Sequence, residues 1–136
     1  LFCAHVGDSR AYLWRHSQLR RLTHDHSGAA ALVAAGIFSE EEARRQPVAH
    51  QLYRYLGGPA QAAKPDIARH SLLPGDCVLL CSDGLWDMLG DAALAAQLLA
   101  AADLEDAAAR LIEAANAAGG EDNITVVLAQ LVAEGE

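Results

Sequence analysis

Two segments of this chain, Cys77–Cys81 and Ile124–Val132, are apolar at nearly every position. Strands of that kind have no face to show to water, so both of their faces must be covered. Other segments read as strands from their β-forming composition and flanking turn residues: Leu1–Val6, Arg10–Arg15, Gln18–Leu22 and Ile67–Leu72. Arg15-His16-Ser17-Gln18 reads as a polar turn, and Pro74-Gly75-Asp76 as a second one, joining Ile67–Leu72 to the apolar run that follows.

Between these strands the periodicity changes. Ala29–Ala35 has helical composition and stops at Gly36. Ser39 and Glu42 have the spacing of a capping box, which opens a short helix ending before Pro47. Gln51–Leu56 fits neither period and runs into the Gly57-Gly58-Pro59 break. Asp91 is positioned to cap a helix with Leu94, Leu98 and Leu99 on one side. Asp103 is positioned to cap another, with Leu104, Ala107, Ala108, Leu111, Ile112 and Ala115 in one stripe, closed by Gly119-Gly120. Amphipathic helices cover one side only, so the packing solution is layered, with sheet against sheet inside and helices outside. The element order is not an alternating βα pattern. It predicts an α+β fold with mainly antiparallel sheets.

Composition narrows the function classes. The net charge is −8 and Lys64 is the only lysine, which argues against nucleic acid or an anionic membrane as the main partner. No run is long or apolar enough to span a bilayer, and these residues carry no signal-peptide pattern, so a protein that is not secreted is the expectation. Cys77 and Cys81 in one strand stand ~13 Å apart, too far for a disulfide or a shared zinc. Reduced thiols and a cytoplasmic location are the expectation. Leu1–Val6 reads as a buried strand with nothing ahead of it to pair with, so an amino-terminal portion is expected to be missing.

Three acidic turns interrupt the core logic: Val6-Gly7-Asp8-Ser9-Arg10, Cys81-Ser82-Asp83-Gly84-Leu85-Trp86-Asp87, and Gly119-Gly120-Glu121-Asp122-Asn123. Singly, each aspartate reads as a turn former or a cap. If they converge, two carboxylates ~4 Å apart repel by about 4 kcal/mol at an effective dielectric of 20. They then require a shared proton, a basic partner or a cation. Arg10 is the only basic residue adjacent to these motifs, and carboxylate ligands select Mg²⁺ or Mn²⁺ over zinc. His24-Asp25-His26 is a lesser metal candidate with no third ligand in view. No nucleophile elbow, cysteine-phosphatase loop, Walker loop, dinucleotide turn or HExxH pattern is present.

The stretches VGDSRAYL from Val6, LTHDHS at Leu22–Ser27, LCSDGLWD at Leu80–Asp87 and GGEDNITVVLA at Gly119–Ala129 together resemble the second half of the type 2C metal-dependent serine/threonine protein phosphatases. The run with Leu32, Gly36, Ile37, Glu42-Ala43 and Pro47 is similar to the flap of the bacterial branch. The resemblance implies an αββα sandwich, with residues 1–136 as the carboxy-terminal part of one phosphatase domain and a flap at about 28–58. It implies two or three Mn²⁺ or Mg²⁺ ions, with Asp83 and Asp122 as ligands of a two-metal centre and Asp8 as ligand of a third ion, shared with Asp83. The nucleophile is then a metal-held water, with no catalytic side chain beyond the metal ligands. The implied partners are a phosphorylated protein substrate and a cognate serine/threonine kinase.

The family's DGxGG aspartate and its phosphate-gripping arginine do not occur in these residues, and Arg10 beside Asp8 reads as a structural ion-pair partner. The LYRYLG stretch at Leu52–Gly57 departs from the family's T-R-x-L-G, where Tyr53 and Tyr55 either alter the groove or fill it, filling being the expectation. Two alternatives stand beside the enzyme: a non-catalytic module that keeps the fold for binding, and a fragment inactive alone, whose unpaired sheet edges favour aggregation or dimerisation.

Overall fold

The computed structural model describes residues 1–133, so the last three residues of the expected 1–136 span lie outside the described residues. The chain divides into two compact units, one formed by residues 1–8 and 24–70 and the other by residues 9–23 and 71–136.

The first unit contains strand β1 (Phe2–His5), helices α1 (Gly28–Ala34) and α2 (Glu40–Arg44), and strand β4 (Asp66–Arg69). β1 and β4 pair antiparallel, with Phe2 opposite Arg69 and His5 opposite Asp66. Ser27 caps α1 by accepting from the Ala30 amide. The helix ends in a Schellman turn, where the Gly36 amide donates to the Val33 carbonyl and the Ile37 amide to the Leu32 carbonyl. Gly36 takes φ +68°, a conformation that a β-carbon disfavours. The capping box at α2 forms as expected, with the Ser39 hydroxyl on the Glu42 amide and the Glu42 carboxylate on the Ser39 amide. Gln51–Leu56 contributes a single bridge, Leu52 opposite Ser27.

The second unit contains strands β2 (Arg10–Arg15), β3 (Gln18–Arg21), β5 (Cys77–Cys81) and β6 (Val126–Gln130), with helices α3 (Asp83–Ala100) and α4 (Leu104–Ala117). The strands form one antiparallel sheet in the order β3-β2-β5-β6. His16 and Ser17 make the two-residue turn between β2 and β3, both at positive φ (49° and 60°), which matches the twist of a hairpin. The Pro74-Gly75-Asp76 turn also forms, with the Asp76 amide on the Leu73 carbonyl. It does not make a hairpin, because β4 pairs with β1 while β5 pairs with β2 and β6.

One face of this sheet presents Tyr12, Leu79 and Cys81 to Leu85, Trp86, Leu94 and Leu98 of α3 and to Ala107, Leu111 and Ala115 of α4, and this is the main core. Ala11, Leu13 and Val78 on the opposite face are buried as well, but the two-sided cover expected for Ile124–Val132 is not found, since none of its residues is buried and Val127 and Val132 are more than half exposed. Leu80 and Val127, paired with each other on that face, remain about half exposed.

Two expectations about helices are corrected. Helix α3 begins at Asp83, not Asp91, and Gly90 (φ 68°, ψ 163°) kinks it in the middle. The Asp91 carboxylate accepts from the Tyr12 hydroxyl at 2.8 Å and faces Arg10 at 3.7 Å, so it ties helix to sheet and does not act as the expected cap. Leu99, expected beside Leu94 and Leu98, is exposed, because it lies five residues from Leu94 and its direction has rotated away from the sheet. Asp103 does cap α4, through the Asp106 amide, and Leu111 and Ala115 are buried while Ile112 lies at the margin. Among the described residues no helix is long and apolar enough to cross a membrane.

Candidate metal centre

The second unit brings two of the three sequence-predicted aspartates onto adjoining turns. β5 ends at Cys81, and the next residue, Ser82, occupies the N-cap position of α3 without capping it. Its hydroxyl donates instead to the Asn123 carbonyl (2.9 Å) and accepts from the Thr125 amide (3.0 Å). The Ser82 amide donates to the Thr125 carbonyl at 3.1 Å. The 82–84 turn is thereby zipped to the 122–125 segment. Gly84 fits against that segment only because it lacks a side chain, since a β-carbon there would overlap the Asn123 carbonyl oxygen.

Asp122 reaches this place through the end of α4. The Gly119 amide donates to the Asn116 carbonyl and the Gly120 amide to the Ala115 carbonyl, a second Schellman turn. Each aspartate spends one carboxylate oxygen on the amide of the next residue, Asp83 on Gly84 (2.9 Å) and Asp122 on Asn123 (2.6 Å). Asp83 is half-buried and Asp122 is exposed, and no ion pair joins either to a basic residue among the described residues. Two oxygen-rich anions on adjoining backbones, each with a carboxylate oxygen to spare, are the donor chemistry of a hard divalent cation. Among the described residues no three His, Cys, Asp or Glu side chains are grouped to hold an ion, and two carboxylates alone do not complete a coordination shell.

Asp8, the third predicted ligand, belongs to the first unit and follows Gly7, which takes φ +105°. The Gly7 amide donates to Nδ1 of His26 (3.1 Å), and the His26 amide returns a bond to the Gly7 carbonyl (2.8 Å). His26 is 2% exposed. Its Nε2 lies 3.0 Å from Oδ2 of Asp66, whose other oxygen accepts from Arg54 at 2.6 Å. The His26 bond, then the Arg54 bond, holds the Asp66 carboxyl down to about 2. Both His26 ring nitrogens are committed, so His24-Asp25-His26 is not a metal pair. Tyr53 and Tyr55 do not fill space as expected: both are more than two-fifths exposed, and the Tyr53 ring lies 5.7 Å from the His26 ring.

Arg10, in the second unit, is buried. It stacks on the Trp86 ring at 3.4 Å and donates to the Tyr12 hydroxyl at 3.1 Å. Burial of Tyr12 pushes its phenol upward, so it stays a neutral donor to Asp91. Cys3, Cys77 and Cys81 are thiols without a disulfide, as expected, and burial raises the Cys77 thiol. Asp66 and Ser82 are not site residues in the sequence analysis, and His26 appears there only within a lesser metal candidate. The signals for His26 and Ser82 are the second histidine of LTHDHS and the serine before the aspartate of SDG, each readable only against a partner far along the chain.

Residues 1–32 and 50–124 match the Protein phosphatase 2C family. The serine/threonine protein phosphatase PstP of Mycobacterium tuberculosis is 38% identical over 128 residues, which are 94% of this chain and 24% of that protein. The solved serine/threonine phosphatase of S. agalactiae superposes with a TM-score of 0.89 at 41% identity, over 96% of this chain and 53% of that one. A solved catalytic domain of the phosphatase PstP, in complex with two manganese ions, gives a TM-score of 0.79 at 35% identity over 97% and 54% of the two chains.

The chain belongs to the Protein phosphatase 2C family. It spans about half the length of these solved relatives, and the α+β class with antiparallel sheets is as the sequence predicts.

Proposed function

We propose that this chain is the carboxy-terminal part of a phosphatase domain that hydrolyses phosphoserine and phosphothreonine in proteins with Mn²⁺ or Mg²⁺, its flap at about residues 28–58. The supporting observation is the pairing of the Asp83 and Asp122 turns through Ser82 and the side-chain-free surface of Gly84. Asp83 and Asp122 would be among the ligands of the central metal pair, and Asp8 a ligand of a third ion. Bound divalent cations supply Lewis acidity, lowering the pKa of water and holding phosphoryl oxygens for in-line attack. The chain's own part is positional. The amides of Gly84 and Asn123 orient one oxygen of each carboxylate, and the Ser82 hydroxyl keeps the two turns in register.

The substrate is a phosphorylated protein, the opposing partner is a serine/threonine kinase, and the place of action is the cytoplasm, a setting that suits the reduced thiols. The test is phosphate release from a phosphothreonine peptide by the protein carrying this chain, with Mn²⁺ and again with excess chelator. Release is expected to be chelator-sensitive and to fall by at least about a hundredfold in Asp83→Asn, with the fold retained. Full turnover in that variant would sink the ligand assignment. A folded protein that binds phosphopeptide without releasing phosphate would instead favour the binding module.

A further inference from the structure

His26 has four polar atoms, and all four are used. Its amide donates to the Gly7 carbonyl, and its own carbonyl accepts from the Tyr53 amide at 3.0 Å. Its ring takes the Gly7 amide on Nδ1 and meets Asp66 at Nε2. The two ring contacts settle the tautomer. A nitrogen that accepts an N–H must present its lone pair, so Nδ1 is unprotonated. The ring proton therefore sits on Nε2 and donates to Asp66. Arg54 Nη1 lies 3.3 Å from that same Nε2, but two N–H groups do not bond each other, so the guanidinium serves the other oxygen of Asp66. Asp66 is the fixed point of the arrangement, held by Arg54 and holding the ring.

The geometry has a direction. Gly7 precedes Asp8, and both Gly7 polar groups are bonded to His26. The Tyr53 amide and the Ser27–Leu52 bridge tie the other side of His26 to the edge of the segment read as the flap. We infer, on the reading of Asp8 as a metal ligand, that His26 is a positioning residue that sets the Gly7–Asp8 turn for the ion held by Asp8 and links that turn to the flap. Its imidazole carries no proton to substrate; it works by accepting one backbone N–H in a fixed tautomer.

Side-chain shape separates this role from simple packing. Asparagine at position 26 places an amide oxygen near the position of Nδ1, where it accepts from Gly7. Glutamine reaches toward Asp66 but leaves the Gly7 amide without its acceptor. Outer-shell partners of this kind typically change metal affinity by about 10–100-fold.

The experiment uses the protein carrying this chain and three variants: His26→Ala, His26→Asn and His26→Gln. Three quantities are measured: the Mn²⁺ concentration for half-maximal phosphate release, Mn²⁺ binding by electron paramagnetic resonance without substrate, and the unfolding midpoint in chelator. In His26→Ala and His26→Gln the half-activating Mn²⁺ concentration is expected to rise at least about tenfold, with loss of the weakest Mn²⁺ site, while His26→Asn stays within about threefold of the parent. Ring ¹⁵N shifts of the parent are expected to show Nδ1 unprotonated. A parental Mn²⁺ response in His26→Gln, metal losses that follow the unfolding midpoint in all variants, or the opposite tautomer would each overturn the inference. Should His26→Ala fail to fold, the asparagine–glutamine pair still decides. A parent protein without Mn²⁺-dependent release would overturn the proposed function, whereas an Mn²⁺-activated parent with indifferent variants overturns only the role of His26.

Discussion

Ser27 and Ser82 stand at the same position relative to a helix, and they use their hydroxyls in opposite ways. Ser27 accepts from the Ala30 amide of its own helix, while Ser82 leaves its helix uncapped and bonds Asn123 and Thr125, more than forty residues away. Each serine sits just ahead of a crowded glycine: a β-carbon on Gly28 would overlap the Val48 carbonyl, and one on Gly84 the Asn123 carbonyl. At Ser27 the local motif is satisfied locally. At Ser82, beside a candidate ligand, helix capping is given up so that two distant turns hold one register. An N-cap bond contributes about 1 kcal/mol, and two bonds between segments contribute about 1 kcal/mol each while also fixing the carboxylates.

The largest break in this contrast is expected from Gly84→Ala. Overpacking against backbone costs about 1–3 kcal/mol, because a carbonyl cannot rotate away as a side-chain tip can. Gly84→Ala is expected to lower the urea midpoint and to abolish the Mn²⁺ response together. Gly28→Ala is expected to destabilise the region around α1 by a similar amount, with added hydrogen exchange over residues 28–51. An alanine at 84 that leaves both midpoint and metal response unchanged would show that the two turns are not held as described.

A smaller effect separates the two serines. Ser82→Ala loses two bonds and is expected to cost about 2 kcal/mol. Ser27→Ala loses one bond of 3.4 Å, and about 0.5 kcal/mol is expected, the low end for a cap. Equal urea-midpoint shifts in the two variants would remove the distinction drawn between local and long-range capping.

The same contrast explains what could be read from the sequence. The capping box at Ser39, the Asp103 cap, the Gly36 and Gly119-Gly120 stops and the β2 strand are local signals, and all appear in the structure. The helical turn Asp83–Leu89 was not legible, because Ser82 offers no cap bond and Gly90 cuts the pattern short before a stripe is established. Asp91 looked like a cap because an acid before an apolar run usually is one, and only the position of Tyr12, seventy-nine residues earlier, diverts it. The acidic motifs themselves were legible as residue types. The neighbour of each was not, since Thr125 for Ser82 and Asp66 for His26 are fixed by strand pairing and not by spacing.

The smallest expected effect concerns acid, and it again sets one unit against the other. In the second unit the Arg15 guanidinium, with the Leu73 amide, holds Asp76 down from 3.8 to about 2. In the first unit His26 and Arg54 hold Asp66 to about the same value. Both folded values lie below the unfolded one, so both groups contribute stability that is complete above pH 3.8 and is lost as the pH falls toward 2. The two should not contribute equally, because the Asp76 side chain is 3% exposed and that of Asp66 is 55% exposed, where solvent screens the pair. Urea midpoints at pH 4, 3 and 2 are expected to fall steeply in the parent and less steeply in Asp76→Asn. Asp66→Asn is expected to change that slope only slightly. A larger loss of slope in Asp66→Asn would mean that the His26–Asp66–Arg54 group stabilises the fold more than the buried Arg15–Asp76 pair does. The interpretation of His26 would then shift from positioning the Asp8 turn toward holding the first unit together.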